Sequence, residues 1–74
     1  MKITLDPEYY TREAIANMAS QFSDYMVVDF YSDKSLCLAL RVRDEHLQSS
    51  TLIMNTFLNN ILELSIQDRM NHGR

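Results

Sequence analysis

The run Leu36-Cys37-Leu38-Ala39-Leu40-Arg41-Val42-Arg43 decides how this chain folds. Leu36, Leu38, Leu40 and Val42 alternate strictly with Cys37, Ala39, Arg41 and Arg43. Successive side chains of a strand point to opposite faces, so this alternation predicts a strand with one buried and one partly exposed face. Upstream, Tyr25-Met26-Val27-Val28-Asp29-Phe30-Tyr31 is rich in β-branched and aromatic residues and predicts a second strand. Met26, Val28 and Phe30 share one face of it, and Tyr25, Val27, Asp29 and Tyr31 the other. Between the two strands lie the four polar residues Ser32-Asp33-Lys34-Ser35, a link of hairpin length.

Towards the N-terminus, Ile3 and Leu5 alternate with Lys2 and Thr4, which predicts a short strand ended by Asp6-Pro7. Thr11 suits a helix N-cap, with Tyr10 and Ile15 at the two positions of a hydrophobic staple. Glu13 adds a negative charge to the first turn, which the helix dipole favours. Ile15, Met18, Ala19 and Phe22 form one apolar stripe, and Ser23-Asp24 closes this helix. Towards the C-terminus, Asp44 is placed to cap a long helix from about Glu45 to about Asn71, leaving 71–74 as a frayed tail. Its apolar arc centres on Leu47, Met54, Leu58, Ile61 and Leu62. Ile53, Phe57 and Leu64 widen one side, and Leu52, Ile66 and Met70 the other, beyond the ordinary apolar stripe.

The element order is βαββα. A right-handed split crossover places the third strand between the first and the second, with both helices on one face. The expected fold is α+β: a three-stranded sheet in order 1-3-2 under two helices, ferredoxin-like but lacking the fourth strand. Lys2, Ile3, Thr4 and Leu5 then form an open edge, whose unpaired N–H and C=O groups can accept another strand.

With 74 residues, the chain makes one domain, 1–74. Hydrophobic residues make up 46% and charged residues 23%, a globular composition. One glycine, Gly73, excludes a glycine-rich phosphate loop. One cysteine, Cys37, excludes an internal disulfide framework and a CxxC metal site. A net charge of −3 argues against nucleic acid as a partner. No apolar run approaches a membrane span, no signal peptide is visible, and a free cysteine suits a reducing cytoplasm.

Little in the residues points to catalysis. His46 and His72 lack metal-ligand spacing and read as exposed positions. Cys37 reads as a small, semi-buried sheet residue. Asp6, Glu8 and Glu13 cluster near the first loop without an apolar pocket to separate their titrations, so they read as a solvated face. Arg41 and Arg43 are expected on the outer face of the sheet, in a cross-strand ion pair with Asp29. Tyr25, Val27, Tyr31 and Arg41 form a possible sheet-face patch for a partner. The wide helical arc reads as a homo- or hetero-oligomer interface carried by Met54, Phe57, Leu58, Ile61 and Leu62, with Asn55, Asn59 and Asn60 at its rim.

Two runs add a family resemblance. Tyr10-Thr11-Arg12-Glu13-Ala14-Ile15 followed by Phe22-Ser23-Asp24 resembles the N-terminal helix of the His-Xaa-Ser system protein HxsD family. Phe57-Leu58-Asn59-Asn60-Ile61-Leu62-Glu63 is similar to that family's signature on its last helix. The resemblance spans about residues 3–70. An arginine usual a few residues after the signature is Gln67 here, with Arg69 beyond it, and family members often continue their last helix further. The resemblance implies a non-catalytic accessory protein in the maturation of a ribosomally synthesised peptide. Its partners would be a radical S-adenosylmethionine (radical SAM) enzyme, the precursor peptide, or both. Any iron–sulfur chemistry would belong to the enzyme, because one cysteine cannot hold a cluster. No catalytic, cofactor or metal residue is carried over, and no cofactor is expected. The other expectation is a self-assembling structural or regulatory dimerisation domain without a peptide ligand.

Overall fold

The computed structural model of the chain describes residues 1–32 and 34–72, with Asn71 and His72 described by their backbone alone. The elements run β1 (Lys2–Leu5), α1 (Arg12–Gln21), β2 (Met26–Ser32), β3 (Leu36–Val42), a 3₁₀ helix (Asp44–Ser49) and α2 (Ser50–His72). The three strands form one antiparallel sheet in order β1-β3-β2. This is the expected α+β arrangement. The alternating run of β3 lies at its centre, with Ile3 opposite Leu38 on one side and Phe30 opposite Leu38 on the other.

One face of the sheet carries the core. Leu36, Leu38, Leu40 and Val42 are buried, and Ile3, Leu5, Val28 and Phe30 pack beside them. Ala14, Ile15 and Met18 of α1 and Phe57 and Ile61 of α2 join the same cluster, so both helices lie on that face. Phe22, at the end of α1, links the two helices, edge-to-face with Phe57 at a centroid distance of 5.4 Å.

Helix α1 starts as the sequence predicts. Thr11 is extended (φ −108°, ψ 151°) and its hydroxyl accepts from the Ala14 N–H. It ends earlier than the Ser23-Asp24 boundary: Phe22 is its C-cap, and the N–H groups of Tyr25 and Met26 close the following turn on the Phe22 carbonyl. Strand β2 is shifted by one residue from the predicted span, to Met26–Ser32. Asp33 of the predicted hairpin link lies outside the described residues.

The last helix departs most from expectation. Asp44–Ser49 winds as a 3₁₀ helix, and Arg43 rather than Asp44 occupies its N-cap, with no side-chain cap bond. Nothing in this segment is fully buried: Leu47 is exposed, while His46, expected to be exposed, is half-buried and packs edge-to-face on Tyr25. The tighter 3₁₀ turn, common at helix starts, leads into the helix. The α-helix then runs unbroken through His72, so Asn71 and His72 belong to it, while Gly73 and Arg74 lie outside the described residues. Its 23 residues span about 34 Å, against about 23 Å for the 7 residues of β3. The helix is therefore longer than the sheet it covers, which leaves part of its apolar surface without a partner in this chain.

Candidate functional site

The sheet's hydrogen-bond alternation shows which backbone groups are left at its edges. Met1 and Leu40 exchange both main-chain bonds, each 2.7 Å long. In an antiparallel pair every second residue pair repeats this pattern, so Ile3–Leu38 and Leu5–Leu36 are bonded likewise. The N–H and C=O groups of Lys2 and Thr4 consequently point away from the sheet. These four residues form the edge predicted from sequence.

The same alternation gives β2 a longer free edge that the sequence reading missed. Arg43 N–H bonds to the Tyr25 carbonyl at 2.8 Å, which puts Val27, Asp29 and Tyr31 on the β3 side. Val28, Phe30 and Ser32 therefore turn their backbone groups outward, and their seven-residue strand is nearly twice as long as β1. A central strand has two edges to offer its neighbours. Once the order 1-3-2 is adopted, β2 is terminal as surely as β1 is.

The helical residues predicted for an interface divide into three groups. Phe57 and Ile61 are completely buried inside this chain's own core and are not available to a partner. Met54 and Leu58 are half-buried against that core. Leu62 is at the margin, 36% exposed. The uncovered side of the helix is instead Leu52 (68% exposed), Ile66 (50%) and Met70 (70%). Leu47, expected at the centre of the arc, is exposed in the 3₁₀ helix. The apolar surplus foreseen on this helix is thus present, rotated away from the predicted centre. Asn55 and Asn59 are exposed and Asn60 is half-buried.

The outer sheet face also differs from expectation. Arg41 stands opposite Val27, and Asp29 opposite Ala39, so Arg41 and Asp29 are diagonal rather than paired across the strands. Arg43 is withdrawn from that face: its Nε donates to the Ser23 carbonyl at 2.8 Å and pins the α1–β2 turn. Tyr25 and Tyr31 are exposed and Val27 is half-buried, but Tyr25 sits edge-to-face with both Phe22 and His46 at the end of the sheet. Tyr31 lies opposite Cys37. Cys37 is half-buried, as expected, with its sulfur 3.8 Å from the Ser35 hydroxyl. Asp6, Glu8 and Glu13 are all exposed.

At the far end of the sheet, the last turns of α2 clasp the loop after β1. Ser65 is fully buried and its Oγ accepts the Thr11 N–H at 2.9 Å. The Thr11 hydroxyl donates to Asp68 Oδ2 at 2.9 Å, and Arg69 donates to the Pro7 carbonyl at 2.7 Å. The residue that caps α1 is therefore held by α2. Next to this clasp opens a polar cleft of about 440 Å³, lined by Arg12, Lys34, Arg69, Ser32 and Ser35 among others. None of the described residues form a group of three His, Cys, Asp or Glu able to hold a metal ion. No helix among them is long and apolar enough to cross a membrane. Comparison with family models, curated proteins and solved structures returned no significant match.

Proposed function

We propose that this chain is a non-catalytic binding module that takes an extended peptide along the free edge of β1. The observation that carries this reading is the unpaired edge itself. Lys2 and Thr4 present N–H and C=O groups in strand geometry, beside the half-buried apolar side chains of Ile3 and Leu5. A peptide added there completes a four-stranded sheet; main-chain bonds supply affinity and alternate side chains supply selectivity. Together with the HxsD-like runs at Tyr10–Ile15 and Phe57–Glu63, the edge supports an accessory role in maturing a ribosomally synthesised peptide. In this role the module acts in the cytoplasm with a radical SAM enzyme, holding the precursor peptide or joining the enzyme's complex.

The experiment is a titration of labelled precursor peptide into the protein, with and without the enzyme, repeated for Thr4→Pro. Proline removes an outward N–H without touching the β1–β3 ladder, and edge strands tolerate it. Binding by the native chain and its loss in Thr4→Pro are expected. No binding in either setting overturns the proposal, and unchanged binding by Thr4→Pro removes β1 as the site.

A second reading, self-assembly through α2 without a peptide ligand, is favoured by the exposed side chains of Leu52, Ile66 and Met70. It predicts a homodimer in light scattering at micromolar concentration, and a monomer there counts against it.

A further inference from the structure

The chain carries net charge −3, yet three of its seven basic residues line the polar cleft beside the α2 clasp. They come from three separate elements: Arg12 from the start of α1, Lys34 from the β2–β3 link, and Arg69 from the end of α2. Nothing in the local sequence brings them together, since 22 positions separate the first two and 35 the last two. The clasp holds two of the walls in place. Thr11 is bonded to Ser65 and Asp68, and Arg69 to the Pro7 carbonyl, so the loop before α1 and the end of α2 are fixed relative to one another.

We infer that this cleft binds a dianionic phosphate group. Two arginines and a lysine supply the charge, and a guanidinium presents paired donors that match phosphate oxygens. Ser32 and Ser35 add hydroxyl donors on the hairpin side. The Thr11 hydroxyl satisfies Ala14, whereas the N–H groups of Arg12 and Glu13 in the first turn have no acceptor within the helix. Both residues line the cleft. Among the described lining residues Glu13 is the one carboxylate. Two neighbouring carboxylates lie outside the lining and are held by neutral donors, Asp6 by the Glu8 N–H and Asp68 by the Thr11 hydroxyl, so three cationic side chains face one carboxylate among the described lining residues. A volume of about 440 Å³ exceeds that of one phosphate ion and lies within the range of small-molecule sites, which favours a phosphomonoester over the free ion. This chemistry is independent of what occupies the sheet edge.

The test is an amide-resolved NMR titration of the full chain with inorganic phosphate, O-phosphoserine and acetate, at matched ionic strength in chloride. Saturable shifts centred on Arg12, Glu13 and Ser35 with both phosphates, and none with acetate, are expected. Tighter binding of O-phosphoserine than of inorganic phosphate supports a phosphomonoester, and equal binding supports the phosphate group alone. The double variant Arg12→Gln, Lys34→Gln should weaken binding about tenfold or more, as expected for losing charge-assisted bonds. Arg41→Gln, on the outer sheet face, should leave it unchanged. Absence of saturation, equal binding of acetate, or an equal loss in Arg41→Gln overturns the inference. Both mutated cleft residues are exposed, and the same spectra report whether the variants remain folded.

Discussion

Ser65→Ala removes a single oxygen from a fully buried position, and that oxygen is the acceptor for the Thr11 N–H at 2.9 Å. The substitution leaves a main-chain donor without a partner at the junction of the two helices. An unsatisfied buried donor costs about 1–3 kcal/mol. Thr11 is only half-buried, so partial access by water places the cost towards the lower end. Alanine is the better helix former, and its propensity returns about 0.5 kcal/mol at this interior helical position. The net loss expected is about 0.5–1.5 kcal/mol, which for a domain of this size lowers Tm by roughly 3–10 °C. Thr56→Ala is the control, because Thr56 is exposed on the same helix and gains propensity without losing a buried partner. Urea unfolding followed by circular dichroism should therefore give changes of opposite sign for the two alanine variants, with m-values unchanged. Ser65→Ala that matches Thr56→Ala would refute the view that this hydroxyl ties α2 to the cap of α1. A double-mutant cycle between Thr11→Ala and Asp68→Ala adds a second check. Both remove the same 2.9 Å bond, so their effects should sum to less than additive.

Phe57→Ala should cost about 3–5 kcal/mol, enough to leave so small a domain largely unfolded in thermal melts, because Phe57 is completely buried between both helices and the sheet. Ile66→Asp, on the uncovered side of the same helix, should change stability by no more than about 0.5 kcal/mol, while abolishing any dimer formed through that side. Thr4→Pro should leave the fold intact by NMR, whereas Ile3→Pro should unfold β1, because only the Ile3 N–H points into the ladder with Leu38. Arg43→Gln should loosen the α1–β2 turn, seen as faster amide exchange at Tyr25 and Met26, through loss of the 2.8 Å bond to the Ser23 carbonyl.

The parts of the fold that were legible share a physical cause. A strand has only two faces, so the alternation Leu36, Leu38, Leu40, Val42 assigns every side chain of β3 at once, and all four are buried. The cap at Thr11 was equally readable, because a hydroxyl three residues before an N–H is a local geometry. Helix α2 behaved differently. Its apolar residues encircle much of the helix, so the pattern marks a centre only weakly and does not say which part of the arc this chain itself covers. Phe57 and Ile61 read as interface residues for that reason, and only the position of α1 and the sheet turned them inward. The 3₁₀ start was illegible because Asp44 resembles a cap by residue type, while 3₁₀ and α winding at a helix start share the same residue types. Of the candidate site, the β1 edge followed from the predicted strand order. The β2 edge followed from the same order but needed the hydrogen-bond register to show which of its groups face outward.

By itself the sequence determined the three strands, the two α-helices, their order, the central place of β3 and the buried face of the sheet. These depend on short-range periodicity, on caps and on the handedness of one crossover, each written within a few residues or in the order of elements. The tertiary structure alone decided which side of α2 became core. It alone placed Ser65 and Asp68 on Thr11 and gathered Arg12, Lys34 and Arg69 around one cleft. Those outcomes join residues far apart in the chain, and their energies exist only once packing has fixed the distances between elements.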